Sequence, residues 1–561
     1  MAEDLIRALE TTFGESSTVP AGRSNEVPER TNKVGWISWL NELTDANTPA
    51  WMTAIARWMS TIVFLNVAVA VAKAVLSRRP WMIFFEDDFF YYLKVAQNIA
   101  HGHGSTFNGL VQTNGYHPLW LLALTGLSFF SGDPRVIAGF VAVVSAIATM
   151  STFLLAEQIL KQAGVSYVLR RGLAGYIGIY ALHIFYTGME VILAVPLVFL
   201  FLVVANRRDY WQRGVWESFT LGLILSAMIL ARLDLLLFPG LLLFWVLLNR
   251  EVRKSITPQH LTGIALGLIP VAAYFLFNHF HFHTWLPVSG MAKQVKIDLW
   301  PTVRPWRTVY NHNINNLLNL GTLHLGVLGM LFAWKRLTAN QRVLFPTALM
   351  FPFVYVFTLS CVSDWQLWLW YLYPERAALC VTFVILCVWP LTAKFMRMRL
   401  VAAVVLAIAV GETVTSEWWT DVQPPIHDAA LDIQRFARTH PGTYAMGDRS
   451  GMVAYLIPDP IVQTEGLVMD RNFLERMRRQ EALLPVLNSY HVRYYVTTSW
   501  KAYTGCFHAL EPFQAGKTSA HMEGTFCSTP VATAMHETYQ TLIFDLENEK
   551  AAASSQTVAA N

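Results

Sequence analysis

The amino-acid sequence predicts an α-helical polytopic membrane protein with a small α/β domain at its C-terminal end. Three observations predict it. Only 14% of the 561 residues are charged and 54% are hydrophobic, against about 25% charged in a soluble globular chain, so much of the surface must face lipid. Apolar runs approaching the ~30 Å hydrocarbon thickness recur up to about residue 417. Beyond that point, polar sequence with short amphipathic and alternating stretches takes over.

The elements follow in order. Residues 1–50 are polar, and no early apolar core follows a basic start, so this segment reads as a disordered cytoplasmic tail and not a signal peptide. Residues 51–416 form the membrane domain. Eleven spans are expected, near 55–77, 135–160, 172–188, 190–206, 217–233, 235–249, 261–280, 318–334, 343–361, 375–393 and 400–416. With the N-terminus inside, the positive-inside rule supports this count. The inner loops then hold Lys161, Arg170 and Arg171; Arg207, Arg208 and Arg213; Arg250, Arg253 and Lys254; Lys335, Arg336 and Arg342; and Lys394, Arg397 and Arg399. The apolar run 116–130 is too short to span at about fifteen residues and reads as a partly immersed outer helix. Residues 78–134 then form one large outer loop. Residues 417–549 are expected to fold outside the membrane, with amphipathic helices at 426–440 and 470–487 and strands at Tyr444–Met446 and 492–498. Residues 550–561, rich in Ala, Ser and Gln, read as a disordered tail.

A net charge of +4 gives no sign of a nucleic-acid partner. Among five cysteines there is no C-x-x-C spacing, and Cys361, Cys380 and Cys387 read as small core residues. Cys506 and Cys527 close a loop of about twenty residues in a domain placed in an oxidising compartment, so a disulfide is expected, worth roughly 3 kcal/mol.

The outer loop opens on Glu86-Asp87-Asp88 amid aromatics. On a helix, Asp87, Tyr91 and Lys94 share one face. One carboxylate would suffice as a cap, whereas three crowded carboxylates in an apolar setting suit a general base or a metal ligand. His101 and His103 flank a glycine and read first as a turn. His279, His281 and His283 would face one way on a strand, but such residues more often line a membrane interface.

Several runs together resemble the GT-C glycosyltransferases, and most of all the branch of arabinofuranosyltransferase-like proteins. These are Glu86-Asp87-Asp88, the following 92–96 and 102–109, and Thr113-Asn114-Gly115-Tyr116-His117-Pro118-Leu119-Trp120. Gly188-Met189-Glu190, Arg232-Leu233-Asp234 and the 286–293 run ending in Ser289-Gly290-Met291-Ala292-Lys293 follow in the family's order. Gly447-Asp448 and Thr464-Glu465 match more weakly. The resemblance implies a GT-C-like membrane fold on the outer face of a bacterial cytoplasmic membrane. It implies transfer of a monosaccharide from a polyprenyl-phosphate donor to a glycan, lipid or protein, with arabinofuranosyl transfer in cell-envelope assembly as one form. It also implies that an acid of the first outer loop is the reacting carboxylate. Asp87 is the first choice, then Asp88, then Glu86. Some relatives use a divalent cation beside this acid and others do not, and the sequence leaves that open.

The chemistry accounts for the remaining candidates. The leaving phosphate gains charge and calls for Lys or Arg, and Lys293, Arg232 and Arg376 are expected to supply it. Arg232 has Asp234 as an obvious structural partner, and Arg376 follows an aromatic turn that also suits an interface belt. Tyr91, Lys94, His103, Asn114, Tyr116, His117, Glu190, Asp234 and Ser289 lie in or beside the motifs as substrate-binding candidates. A transporter or lipid flippase is the alternative, but its charges would cluster at the midplane in matched halves. A scaffold would need far fewer helices.

Overall fold

The computed structural model describes residues 47–76, 82, 85–207, 210–212, 214–294, 300–311, 314–415, 424–503, 505–513, 519–537 and 539–550. Most of the N-terminal tail, Arg78, Arg79, Arg208, Arg213 and the end of the chain from 551 lie outside the described residues.

The helices run in order α1 (Ala50–Leu76), α2 (Asp87–Ala100), α3 (Pro118–Phe130), α4 (Pro134–Gln162), α5 (Tyr167–Phe185), α6 (Val191–Ala205), α7 (Val215–Ala231) and α8 (Leu237–Leu248). After them come α9 (Arg250–Ser255), α10 (Pro258–Gly267), α11 (Ile269–Phe282), α12 (Val288–Lys293), α13 (Arg304–Asn311), α14 (Ile314–Ala333), α15 (Gln341–Val362), α16 (Pro374–Val388), α17 (Pro390–Met396) and α18 (Arg399–Thr415). Their starts follow local chemistry. Asp133 accepts the Arg135 N–H and Thr257 accepts the His260 N–H, each with proline at the first helical position. At α2 the extended residue Glu86 precedes Asp87 and Asp88, whose charge suits the positive helix end.

The chain is a membrane protein by composition and by its long apolar helices, and Trp58, on α1, is 61% exposed. Among the described residues, four helical stretches are long and apolar enough to cross a bilayer: 50–72, 134–162, 341–362 and 369–388. The pair α10–α11, bent by 44°, makes a fifth if it is one span. The expected eleven are therefore not established. Several positions hold helices of 12 to 17 residues, which reach roughly 18–26 Å at 1.5 Å per residue, short of the hydrocarbon thickness unless extended by neighbours. Helix α3, at 13 residues, reaches only ~20 Å.

Among the described residues beyond 423 lie four helices, α19 (Pro424–Ala437), α20 (Ser450–Leu456), α21 (Arg471–Arg478) and α22 (Leu483–Ser489). Eight strands interleave with them: β1 (Tyr444–Met446), β2 (Ile461–Gln463), β3 (Tyr494–Thr497), β4 (Trp500–Tyr503), β5 (Cys506–Glu511), β6 (Met522–Phe526), β7 (Ala532–His536) and β8 (Tyr539–Asp545). A five-stranded sheet has the order β2-β1-β3-β8-β7, with β2, β1 and β3 parallel and the rest antiparallel. Strands β4, β5 and β6 make a separate antiparallel sheet, and Cys506 and Cys527 are joined by a disulfide at its edge. The helix expected over 470–487 is two helices, because Gln480 adopts a left-handed φ of 53° and turns the chain between them.

This region has its own core around Phe473, Met477, Tyr495 and Phe544, yet it does not stand apart. Met452, Val453 and Leu467 share a buried cluster with Phe85, Phe89 and Phe90 of the outer loop. Two glycines make the approach possible. A Cβ on Gly451 would sit 2.4 Å from the Asp87 carbonyl oxygen, and one on Gly115 would sit 1.9 Å from that of Leu467.

Candidate active site

Helix α2 carries the acidic triplet into the junction between the two parts. Asp87 is fully buried there. Its Oδ2 accepts the Gly451 N–H at 2.9 Å and its Oδ1 the Met452 N–H at 2.8 Å. It therefore caps α20 across the junction, satisfying donors that a helix start leaves open. Tyr91, one turn on, reinforces the contact through a 3.1 Å hydrogen bond between its hydroxyl and that of Ser450. Burial pushes the Asp87 carboxyl up to about 6, against the pull of Arg449 and the two N–H donors.

Asp88 is 100° further round the helix and faces a cavity. Lys293, Tyr371, Trp365 and Trp368 line that cavity with it, and Asp448, Arg449 and Glu465 close it from the C-terminal side. Among the described residues, no donor lies within hydrogen-bond distance of the Asp88 carboxylate. Burial raises its pKa, with Lys293 and Arg449 pulling it back and Glu190 adding to the rise. Glu86 is buried behind this pair, its backbone N–H on the Thr187 carbonyl at 3.3 Å.

Lys293 ends α12 and donates to the Tyr371 hydroxyl at 2.6 Å, above the Trp365 and Tyr371 rings at 5.6 and 5.3 Å. Among the described residues it has no carboxylate in contact, so its charge is open to a further anion. Arg449 lies over Trp368 at 5.2 Å and 3.4 Å from Asp448. Glu465 is buried, its Oε1 has no partner, and its Oε2 accepts from Gln463 at 3.1 Å. Burial and the nearby Asp448, Glu511 and Asp88 hold its carboxyl well above the usual range.

Arg232 is committed elsewhere. It binds Glu190 Oε1 at 2.5 Å and Asp234 Oδ2 at 2.6 Å, with the Tyr373 ring 4.6 Å from its guanidinium carbon. Tyr92 donates to Glu190 at 3.0 Å, and Tyr355 and Tyr373 donate to Asp234 at 2.9 and 3.1 Å. His117 accepts the Leu233 N–H at 3.0 Å on Nδ1, which leaves Nε2 towards Glu190 at 3.8 Å. Two carboxylates thus meet one guanidinium, and Tyr371 joins this network to the cavity, since Arg232 lies 5.2 Å from its ring. Arg376 is not brought to the cavity. It is buried against the Tyr180 ring at 3.8 Å and donates to the Leu372 and Tyr180 carbonyls.

The other candidates scatter. Asn114 is buried and ties the outer loop to Asn278, Thr284 and the Val288 N–H. Tyr116 binds Ser105 at 2.7 Å, Lys94 reaches the Ile457 carbonyl at 3.5 Å, and His103 is exposed. Ser289 is half-buried on α12, one turn before Lys293. His279 and His281 lie on α11 and not on a strand, stacked on Trp285 and Phe277. Among the described residues, no three His, Cys, Asp or Glu side chains converge on a point that would hold a metal ion, and no step below is routed through one. The residues missing from the sequence reading are Trp365, Trp368 and Arg449; Tyr371 lay in the aromatic turn before Arg376, and no role was given to the partners Asp448 and Glu465. The last two sat in the weaker C-terminal matches, which marked a place but not a role.

No family model and no curated protein matches the sequence. Solved structures do match. ArnT from Cupriavidus metallidurans bound to undecaprenyl phosphate aligns over 78% of this chain and 93% of its own, with 12% identity and a TM-score of 0.51. Its apo form aligns over 78% and 92%, with 13% identity and a TM-score of 0.50. The arabinofuranosyltransferase AftD from mycobacteria aligns over 90% of this chain but 40% of its own, at 12% identity and a TM-score of 0.46, too loose to separate branches. Such low identities speak for architecture alone, and on that footing the chain has the fold of the GT-C membrane glycosyltransferases.

Proposed function

We propose that this protein transfers a monosaccharide from a polyprenyl-phosphate donor to a hydroxyl-bearing acceptor on the outer face of a bacterial cytoplasmic membrane. Its N-terminus then lies inside, and residues 417–549 form a periplasmic domain. The observation that carries the reading is the pairing of Asp88, a carboxylate with no internal donor, with Lys293, a cation with no contacting carboxylate, in one aromatic-walled cavity. A base and a phosphate-binding cation are the two parts this reaction needs. The acceptor oxygen attacks the anomeric carbon and gives its proton to Asp88. The bond from that carbon to the phosphate oxygen breaks, and polyprenyl phosphate leaves with the electron pair, stabilised by Lys293 with Arg449 beside it. The solved ArnT with undecaprenyl phosphate, on the same fold, supports a donor of this kind. The sequence resemblance favours an arabinofuranosyl group.

In this reading Asp88 takes the place that the sequence gave first to Asp87, whose two oxygens each accept a backbone N–H across the junction. The cavity, at ≈ 40 Å³, has room for a few waters and not for a sugar, so donor binding requires its wall to open. Replacing Asp88 with Asn in purified protein, with polyprenyl-phosphate arabinose as donor, is expected to lower transfer by about 10²–10⁴-fold with the fold retained. Full activity in that variant would overturn the assignment.

A further inference from the structure

We infer that a second cavity, beside the first, binds a neutral oligosaccharide, the acceptor of the reaction proposed above; the inference rests on that reading. The cavity is an open groove of ≈ 650 Å³ between the outer loop at Gln112 and Asn114, the end of α11 at His281–His283, and the start of α21. That volume lies within the 300–1,000 Å³ range of small-ligand clefts.

Its chemistry narrows the occupant. The charged residues in its wall are two carboxylates, Asp470 and Glu475, and one guanidinium, Arg471. Asp470 accepts the Phe473 N–H at 3.0 Å and the Tyr490 hydroxyl at 3.3 Å. Arg471 donates to Glu475 at 2.7 Å and to the His283 carbonyl at 2.8 Å. No cation is left over for a phosphate, so the groove does not duplicate the donor pocket. Nor is it an apolar slot for a lipid tail. What remains open is a set of side chains with hydrogen-bonding groups. Among the described residues, the side chains of Gln112, His281 and His283 make no hydrogen bond within the protein, and all three are exposed. The Phe282 ring lies among them. Hydroxyl-rich rings with apolar faces suit such a lining, since each hydroxyl both donates and accepts.

His283 is the left-handed C-cap that ends α11, with a φ of 56°. The turn it makes brings its carbonyl to Arg471 and its ring to the groove wall.

Two short bridges connect groove and donor cavity. Helix α12 begins at Val288 in the groove and ends at Lys293 in the cavity, a rise of about 7.5 Å over five residues. Leu467 lines the cavity and Asp470 the groove, at most about 11 Å apart along the chain. A saccharide seated in the groove therefore lies one short helix away from the cavity that Asp88 lines.

The experiment uses full-length protein in lipid nanodiscs. The probes are neutral linear tetrasaccharides (a glucan, a mannan and an arabinan) and a Gly/Ser/Thr hexapeptide, with binding read by saturation-transfer NMR. At least one tetrasaccharide is expected to bind the wild type. Gln112→Trp and His281→Trp, both on exposed positions and each filling the groove, are expected to weaken that binding at least ten-fold. Asp88→Asn is expected to leave it unchanged. The groove assignment is overturned if no tetrasaccharide binds, if binding persists in both Trp variants, or if the hexapeptide alone binds and is lost in them. Groove-dependent binding together with full transfer by Asp88→Asn would support the groove and overturn only the reading of the reaction.

Discussion

Asp87 and Asp88 differ by one position, and the proposed reaction gives them opposite duties, which mutation can separate. Replacing Asp87 with Ala removes both acceptors from the N–H groups of Gly451 and Met452. These donors are buried against α2, where water does not readily replace the lost oxygen. An unsatisfied buried group costs about 1–3 kcal/mol, so two orphaned donors cost about 2–6 kcal/mol. That cost falls on the seating of α20 against α2. Hydrogen exchange of residues 450–456 in nanodisc-embedded protein is the assay, with the melting temperature beside it. Protection of this segment should collapse in Asp87→Ala and fall partway in Asp87→Asn, which keeps one acceptor oxygen. In Asp88→Asn, protection should match the wild type while transfer falls by 10²–10⁴-fold, the range of a lost general base. The reasoning is refuted if Asp87→Ala leaves the segment as protected as before. It is equally refuted if Asp87→Asn stays fully protected and yet loses transfer as completely as Asp88→Asn.

Further outcomes follow from neighbouring groups. Asp88 must be ionised to accept a proton, and burial raises its carboxyl above the ordinary 3.8; the acid limb of kcat/KM should therefore lie above pH ~4 and move further up in Lys293→Gln, which removes the leading pull downward. Lys293→Gln should also lower kcat/KM by about 10²–10³-fold, as loss of a preorganised charge does, with Lys293→Arg recovering part of it in the same transfer assay. Glu511 is buried and pushed up to about 7 from 4.5, so the stability it contributes is full below pH 4.5 and is lost as pH rises through about 7. Glu511→Gln, which still accepts from the Tyr495 hydroxyl (2.8 Å in the wild type), should then raise the melting temperature at pH 8 and not at pH 5, with a ceiling of about 3 kcal/mol. Cys506→Ser with Cys527→Ser should destabilise the C-terminal region by roughly 3 kcal/mol, read as earlier loss of β4–β6 protection in hydrogen exchange.

The helical character of the chain was legible because lipid exposure leaves its mark on every turn, and composition sums that mark over hundreds of residues. The number of spans was not. Residues 190–206 read as one apolar run, but Pro196 sits inside α6 and the helix holds only 15 residues. Residues 235–249 likewise resolve into a 3-10 turn and a 12-residue helix. Apolarity says that a segment is buried in lipid or protein, and does not say how much of it is one straight helix. The C-terminal sheets were half legible. Strands β1 and β3 are apolar runs between polar turns. Strands β5 and β6 are exposed on one side and carry His508, Thr525 and Glu523, so their pattern is diluted by polar residues that a single sequence gives no reason to pair.

The site divides the same way. Residue types and order along the chain were enough to gather the outer-loop acids, Lys293 and the Arg232–Asp234 pair. The choice between Asp87 and Asp88 was beyond reach, because it depends on what stands opposite each. Neighbours on a helix point 100° apart, and either one suits a base until the partner surface is known. That surface comes from Gly451 and Met452, 364 and 365 positions away. The same distance hid Arg449. An isolated arginine in a polar loop carries no local signal, and it lines the cavity just ahead of the helix that Asp87 caps. In the proposed reading, the residue first chosen for the chemistry does something else that the chemistry needs. By fixing α20 it sets Arg449 and Asp448 at the cavity wall, and loss of Asp87 should weaken transfer through the position of Arg449. A rise in donor KM larger than the fall in kcat would be the mark of that route. In Asp88→Asn the balance should be reversed, because there only the proton acceptor is lost.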